Sequence, residues 1–195
     1  PKLVVPAIAG ATMRALPLLV LLMSTTANAQ DPNPAPAPAG TVAGTPAPCA
    51  AAERRQFDFW LGEWEVTGPK GGIVGHSRIE SILGGCTIAE HWSSATGQGA
   101  NDGKSYNLYN ADLKRWEQFW VDASGARLML SGGLVGGSMV LEGRQDLPAA
   151  DGVHQRERIT WTPNADGTVR QLWETSSDSG ASWSVSWDGL YTRID

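Results

Sequence analysis

From Trp60 onward, apolar and polar side chains alternate with a period of two, and turn-forming residues interrupt the alternation about every ten residues. The pattern predicts ten short strands, over 60–67, 73–82, 86–94, 104–110, 114–122, 126–131, 137–143, 153–162, 168–175 and 182–193, the last broken at Asp188-Gly189. The breaks carry Pro69-Lys70-Gly71-Gly72, Gly84-Gly85, Asn101-Asp102-Gly103, Ser124-Gly125, Gly136-Gly137, Asp151-Gly152 and Asn164-Ala165-Asp166-Gly167. These are hairpin sequences, because Gly, Asn and Asp tolerate positive φ. Only Ala50 to Gln56 reads as helical, two turns at most, so the crossover helices of a parallel sheet are missing. The expected fold is therefore all-β: an antiparallel up-and-down meander of about ten strands. Closing it into a barrel removes its exposed edges.

Alternation also assigns faces. In 114–122, Arg115 and Glu117 share the outer side, which turns Trp116, Gln118, Trp120 and Asp122 inward. In 168–175, Arg170 and Glu174 face out and Val169, Gln171 and Trp173 face in. In 73–82, His76, Arg78 and Glu80 are outside, with Ser77 and Ile79 inside. Strand 86–94 groups Ile88, Glu90 and Trp92, strand 60–67 turns Gly62, Trp64 and Val66 inward, and 137–143 does the same with Met139 and Leu141. In 182–187, Ser182, Ser184 and Ser186 alternate with Trp183, Val185 and Trp187. Strand 153–162 stays ambiguous, with Arg156 and Arg158 on one side and Glu157, Ile159 and Trp161 on the other.

The segment before the strands has a different character. Met13-Arg14, the apolar run Ala15 to Met23 and the small-x-small site Ala27-Asn28-Ala29 read as an export signal over 1–29, cleaved after Ala29. Met13 is read as the true start. The apolar run is too short to span a bilayer, which takes roughly 20 residues, so no membrane span is expected. Residues 30–48, rich in Pro and Ala, read as a disordered tether, leaving 49–195 as one barrel domain. A periplasmic or secreted location follows. Without Lys2 and Arg14 there remain 13 basic against 20 acidic residues, a net charge of −7. That balance argues against nucleic acid and anionic membrane as partners. In an exported chain the two cysteines, Cys49 and Cys86, are expected to form a disulfide. The rival for Cys49 is lipidation, but Ala47-Pro48-Cys49 does not resemble a lipoprotein cleavage box.

The run Phe57-Asp58-Phe59-Trp60-Leu61-Gly62-Glu63-Trp64-Glu65-Val66 carries the clearest resemblance. Its Gly62-x-Trp64 core is similar to the first strand of lipocalins and related calycin barrels, of which the fatty-acid-binding proteins are another branch. In such barrels the tryptophan plugs one end beneath an arginine from near the last strand. Arg193 is the matching candidate, with Arg54 or Arg55 as substitutes. Together with Gly85-Cys86, Glu90-x-Trp92, Trp116-x-Gln118-x-Trp120-x-Asp122, Arg170-Gln171-x-Trp173 and Asp188-Gly189-x-Tyr191, the string resembles an exported bacterial family of uncharacterised calycin-like barrel domains, over roughly 49–195. The resemblance implies fold and compartment. It brings no activity with it, and the later lipocalin turn of T-D-x-Y type is missing. A second motif, Ser176 to Trp183, fits the S-x-D-x-G-x-[ST]-W box of sialidase propellers. Propellers repeat that box in every blade; one copy reads as a structural hairpin in which Asp178 binds the loop and Trp183 packs beneath it.

All nine tryptophans lie between Trp60 and Trp187, and several fall in register with polar groups. A solid core would be aliphatic, because each unpartnered buried polar group costs about 1–3 kcal/mol. The inward set Glu90, Trp92, Trp116, Gln118, Trp120, Gln171 and Trp173 is therefore the candidate ligand site: apolar walls with a few polar anchors. Trp64, Arg193, Asp178 and Trp183 are read as structural. Three functions remain open. The first is a barrel that binds a small apolar or amphipathic molecule. The second is a hydrolase or isomerase using Glu90, with Asp122, as acid and base. The third is a structural module with a filled lumen. No metal site is expected, since the histidines lack ligand spacing and His91 points away from Glu90. No cofactor is expected either; a haem barrel of the nitrobindin kind needs a proximal histidine, for which His154 is the only candidate.

Overall fold

The structure, a computed structural model, describes residues 49–144 and 155–194. The expected leader and tether, the Asp151-Gly152 turn and His154 lie outside the described residues.

Ten antiparallel strands form in chain order: β1 (Gly62–Thr67), β2 (Ile73–Ile82), β3 (Thr87–Ser94), β4 (Gly103–Asn110), β5 (Arg115–Asp122), β6 (Arg127–Val135), β7 (Ser138–Arg144), β8 (Arg156–Pro163), β9 (Val169–Ser176) and β10 (Ser184–Arg193). Each pairs with its sequence neighbours, and β1 pairs with β10 to close the barrel. Closure leaves no unpaired edge to template association. The expected short helical segment before β1 consists of two 3₁₀ turns, Ala52–Arg55 and Asp58–Trp60, and β1 begins at Gly62 rather than Trp60.

Two boundaries differ instructively from the sequence reading. β6 continues through Gly132-Gly133 to Val135, and the turn falls at Gly136-Gly137, where φ is 58° and 88°. Gly132 serves close approach instead: a Cβ there would lie 2.1 Å from the Val140 carbonyl oxygen. β10 does not break at Asp188-Gly189, because both residues stay in the ladder opposite Leu172 and Gln171. Its irregularity comes earlier, between Val185 and Trp187.

One end of the barrel is filled. Phe57 and Trp60, both fully buried, stack with centroids 4.9 Å apart. Phe57 also meets the rings of Trp116 at 5.7 Å and Trp161 at 5.2 Å edge-on. Such edge-to-face pairs suit the ring quadrupoles. Trp64 reaches the same cluster through Tyr191 at 6.2 Å, and its indole N–H donates to the Trp60 carbonyl at 2.9 Å. Arg193 lies over Trp64 with its guanidinium carbon 4.4 Å from the ring centroid, as expected from the Gly62-x-Trp64 motif. The segment that makes this floor is tied down twice. Cys49 and Cys86 form the expected disulfide, and Arg55 donates to the Gly85 carbonyl beside it.

On the outer face, the ambiguous strand β8 resolves with Glu157, Ile159 and Trp161 buried. Arg156 pairs with Glu142 at 2.8 Å and Arg158 with Glu174 at 2.9 Å. Trp183 packs against this ladder rather than only beneath its own turn: the Arg158 guanidinium sits 4.0 Å from its ring centroid. Asp178 does bind the hairpin, accepting from the Ser182 amide at 2.8 Å and the Ser176 hydroxyl at 2.7 Å. Hydrogen bonds from Ser182, first its hydroxyl, hold this carboxyl far below the usual range.

Candidate functional site

Opposite the aromatic floor the barrel keeps a cavity of about 120 Å³. Its walls are four half-buried tryptophans, Trp92 from β3, Trp120 from β5, Trp173 from β9 and Trp187 from β10. Its base is buried: Glu90, Gln118, Ile159 and Tyr191, with Gln171 at the side. Six of the seven residues expected from the sequence line it, namely Glu90, Trp92, Gln118, Trp120, Gln171 and Trp173.

Trp116 does not line it. Period-two alternation fixes which side a residue faces but not how deep it lies. Trp116 precedes Trp120 by four positions, roughly 13 Å along the strand. It sits in the filled end, donating to Gln56 Oε1 at 3.1 Å and packing on Tyr109 and Phe57. Asp122 is also elsewhere. It caps the β5–β6 turn, accepting from the Ser124 amide at 2.9 Å and the Ala126 amide at 3.1 Å. Against desolvation, bonds from Ser124, Ala126 and the Trp120 side chain hold its carboxyl below the usual value. No Glu90–Asp122 carboxylate pair faces the cavity.

Trp187 is the wall that alternation alone leaves unassigned. Val185 stands opposite Glu174, while Trp187 stands opposite Trp173, so one extra residue intervenes on β10. Such a bulge reverses the phase of everything beyond it. Val185 accordingly points to solvent and Trp187 into the lumen.

The wall rings have room because small residues lie beneath them. A Cβ on Gly75 would come within 2.5 Å of the Trp92 ring, and one on Gly103 within 2.2 Å of the Trp120 ring. A Cβ on Gly189 would lie 2.8 Å from the Trp187 indole nitrogen. Two glycine-backed rings meet at right angles, Trp92 and Trp187, with centroids 5.6 Å apart at 86°. Trp173 is held from behind by its N–H, which donates to Glu157 Oε2 at 2.6 Å.

Glu90 anchors a hydrogen-bond chain running across four strands. Ser77 Oγ donates to its Oε1 at 3.1 Å and Ser105 Oγ to its Oε2 at 2.9 Å. Asn107 Nδ2 donates to Ser105 Oγ at 2.9 Å, and Gln118 Nε2 to Asn107 Oδ1 at 2.8 Å. From Gln118 onward every donor points toward Glu90, so the chain polarises toward the carboxylate. Ser105 and Asn107 are side chains the sequence reading missed; both alternate inward on β4, where Ser105 stands opposite Glu90 and Asn107 opposite Gln118. Burial pushes the Glu90 carboxyl up to about 7, against the downward pull of Ser105 and Ser77. Tyr191 donates its hydroxyl to Gln171 Oε1. Burial and then the Glu90 charge raise its phenol well above the usual value.

Among the described residues the lining contains no lysine, arginine or histidine. Among the described residues no cluster of His, Cys, Asp and Glu is arranged to hold a metal ion, and no helix is long and apolar enough to cross a membrane. No protein-family model matches the chain, and no curated protein matches it either.

Proposed function

We propose that this is an exported binding barrel that takes a small apolar or amphipathic molecule between Trp92, Trp120, Trp173 and Trp187. One observation carries the reading: four tryptophans remain half-exposed around a cavity whose base is a buried, hydrogen-bonded carboxyl group. Apolar walls with few and well-placed polar groups are how binding pockets are lined. A filled structural barrel has no reason to leave indoles partly wet at one end while stacking others tightly at the opposite end. The cavity is smaller than the roughly 300–1,000 Å³ of drug-sized sites. It suits a single ring or a short branched group.

The disulfide and the export-like segment over 1–29 support a periplasmic or secreted location. The Arg193–Trp64 contact supports the likeness to calycin barrels.

The test is intrinsic fluorescence of the full chain, titrated with single-ring alcohols, amines and short-chain amphiphiles. Binding is expected to quench or shift the emission, and Trp92→Phe with Trp187→Phe is expected to remove that response. An unchanged spectrum across the set would overturn the reading. The Glu90 carboxyl also favours a second one, an enzyme in which Glu90 transfers a proton, since a group near 7 serves as acid or base at neutral pH. That reading requires turnover abolished by Glu90→Gln in a folded protein.

A further inference from the structure

We infer that the pocket selects a small organic cation, a quaternary or tertiary ammonium group seated between the four tryptophan faces with the Glu90 carboxylate beneath it. The inference rests on the binding reading above and names its ligand class.

The first argument is the shape of the walls. Aromatic faces carry negative potential, and a ligand cation enclosed by several of them is attracted to each. A stacked pair would hide two of those faces from the ligand. Trp92 and Trp187 instead meet at 86°, so they form adjoining walls of a box.

The second argument is what lies behind the walls. The Trp173 N–H is bonded to the Glu157 carboxylate at 2.6 Å, which places that charge at the positive edge of the indole. Glu157 thus adds its own field in the direction that favours a cation.

The third argument is elimination by charge. With no Lys, Arg or His among the described residues of the lining, a carboxylate or phosphate ligand would meet Glu90 with no described cation to neutralise either group. Burying two like charges together is costly. A neutral ring would fill the same walls but leave the Glu90 charge as it stood. A cation satisfies both walls and base. The acidic chain, of net charge −5, also draws cations toward the site.

Binding is then linked to the protonation of Glu90. The groups that face it are Ser77 from β2, Ser105 and Asn107 from β4, Gln118 from β5 and Tyr191 from β10. Of these only Tyr191 titrates, and it stays protonated through neutral pH. Cation affinity is therefore expected to rise up to about tenfold between pH 6 and pH 8 as the carboxyl ionises.

The deciding experiment titrates the full chain with choline and with its uncharged isostere 3,3-dimethyl-1-butanol, by calorimetry in an amine-free buffer. Choline is expected to bind at least tenfold more tightly, with the preference lost in Glu90→Gln. Should that variant not fold, judged by circular dichroism, Trp187→Leu replaces it, and the same loss of preference is expected. Equal affinities, or tighter binding of the alcohol, would overturn the cation class while leaving a binding pocket intact. Heat from neither compound, together with unchanged fluorescence across the neutral set, would overturn both.

Discussion

The Arg193 guanidinium lies 4.4 Å from the ring centroid of Trp64, and the two residues also stand opposite one another in the β1–β10 ladder. The contact joins the last strand to the first where the barrel closes. Arg193 is exposed, and a cation over an indole face at an exposed site contributes about 0.5–1 kcal/mol. Arg193→Ala is expected to lower stability by about that amount, read as a shift in the urea midpoint with an unchanged slope. Trp64→Ala, which empties a fully buried site, is expected to cost about 3–5 kcal/mol.

A second prediction concerns pH. The Glu90 carboxyl titrates near 7 in the fold and near 4.5 in the unfolded chain. Between those values the folded state holds the proton more tightly, so stability falls as pH rises through the window. The loss is on the order of 3 kcal/mol, complete above the folded value and absent below the unfolded one. Unfolding measured across pH 4 to 8 is expected to show this slope in the native chain and a flatter one in Glu90→Gln. The opposite slope would contradict the desolvated carboxyl.

The Cys49–Cys86 bond closes a loop of 37 residues in sequence separation. Constraining the unfolded chain over that length contributes about 4 kcal/mol in the loop-entropy picture. Reduction, or Cys49→Ala with Cys86→Ala, is expected to lower the melting temperature and to expose Phe57 and Trp60 first, since the bond holds the segment that fills the floor. Near-ultraviolet circular dichroism of the aromatic cluster reads that loosening directly.

Much of this was legible from residue order alone. Ten strands, their antiparallel succession and the closure of the barrel follow from period-two alternation and turn residues, and the disulfide follows from an even cysteine count. Six cavity residues follow from phase. The remainder needed information that phase does not carry. Trp116 was misplaced because alternation is blind to depth along the strand. Trp187 was left unassigned because a bulge resets the count. The strand over 126–131 was ended too early, because Gly132 belongs to β6, where it lets the β7 backbone come close. Ser105 and Asn107 look like ordinary strand polars until their pairing with β3 and β5 places them beside Glu90 and Gln118.

The glycines under the wall rings yield a prediction of their own. Gly103→Ala puts a methyl group within 2.2 Å of the Trp120 ring, which must swing aside. Overpacking of this kind costs about 1–3 kcal/mol. The expected signature is a fold retained at modest cost, with altered tryptophan emission and weaker ligand response. An unaltered emission spectrum would show that the ring is not held against that strand.

The irregularity in β10 makes strand length, more than side-chain identity, the quantity that matters there. With Ser186 supernumerary, its removal would leave Val185 and Trp187 opposite their present partners and merely straighten the ladder. Loss of one residue between Trp187 and Tyr191, four positions apart and both facing inward, would evict one of the two aromatics into water. Shortening the same strand by a single residue is thus harmless at one position and ruinous three residues later.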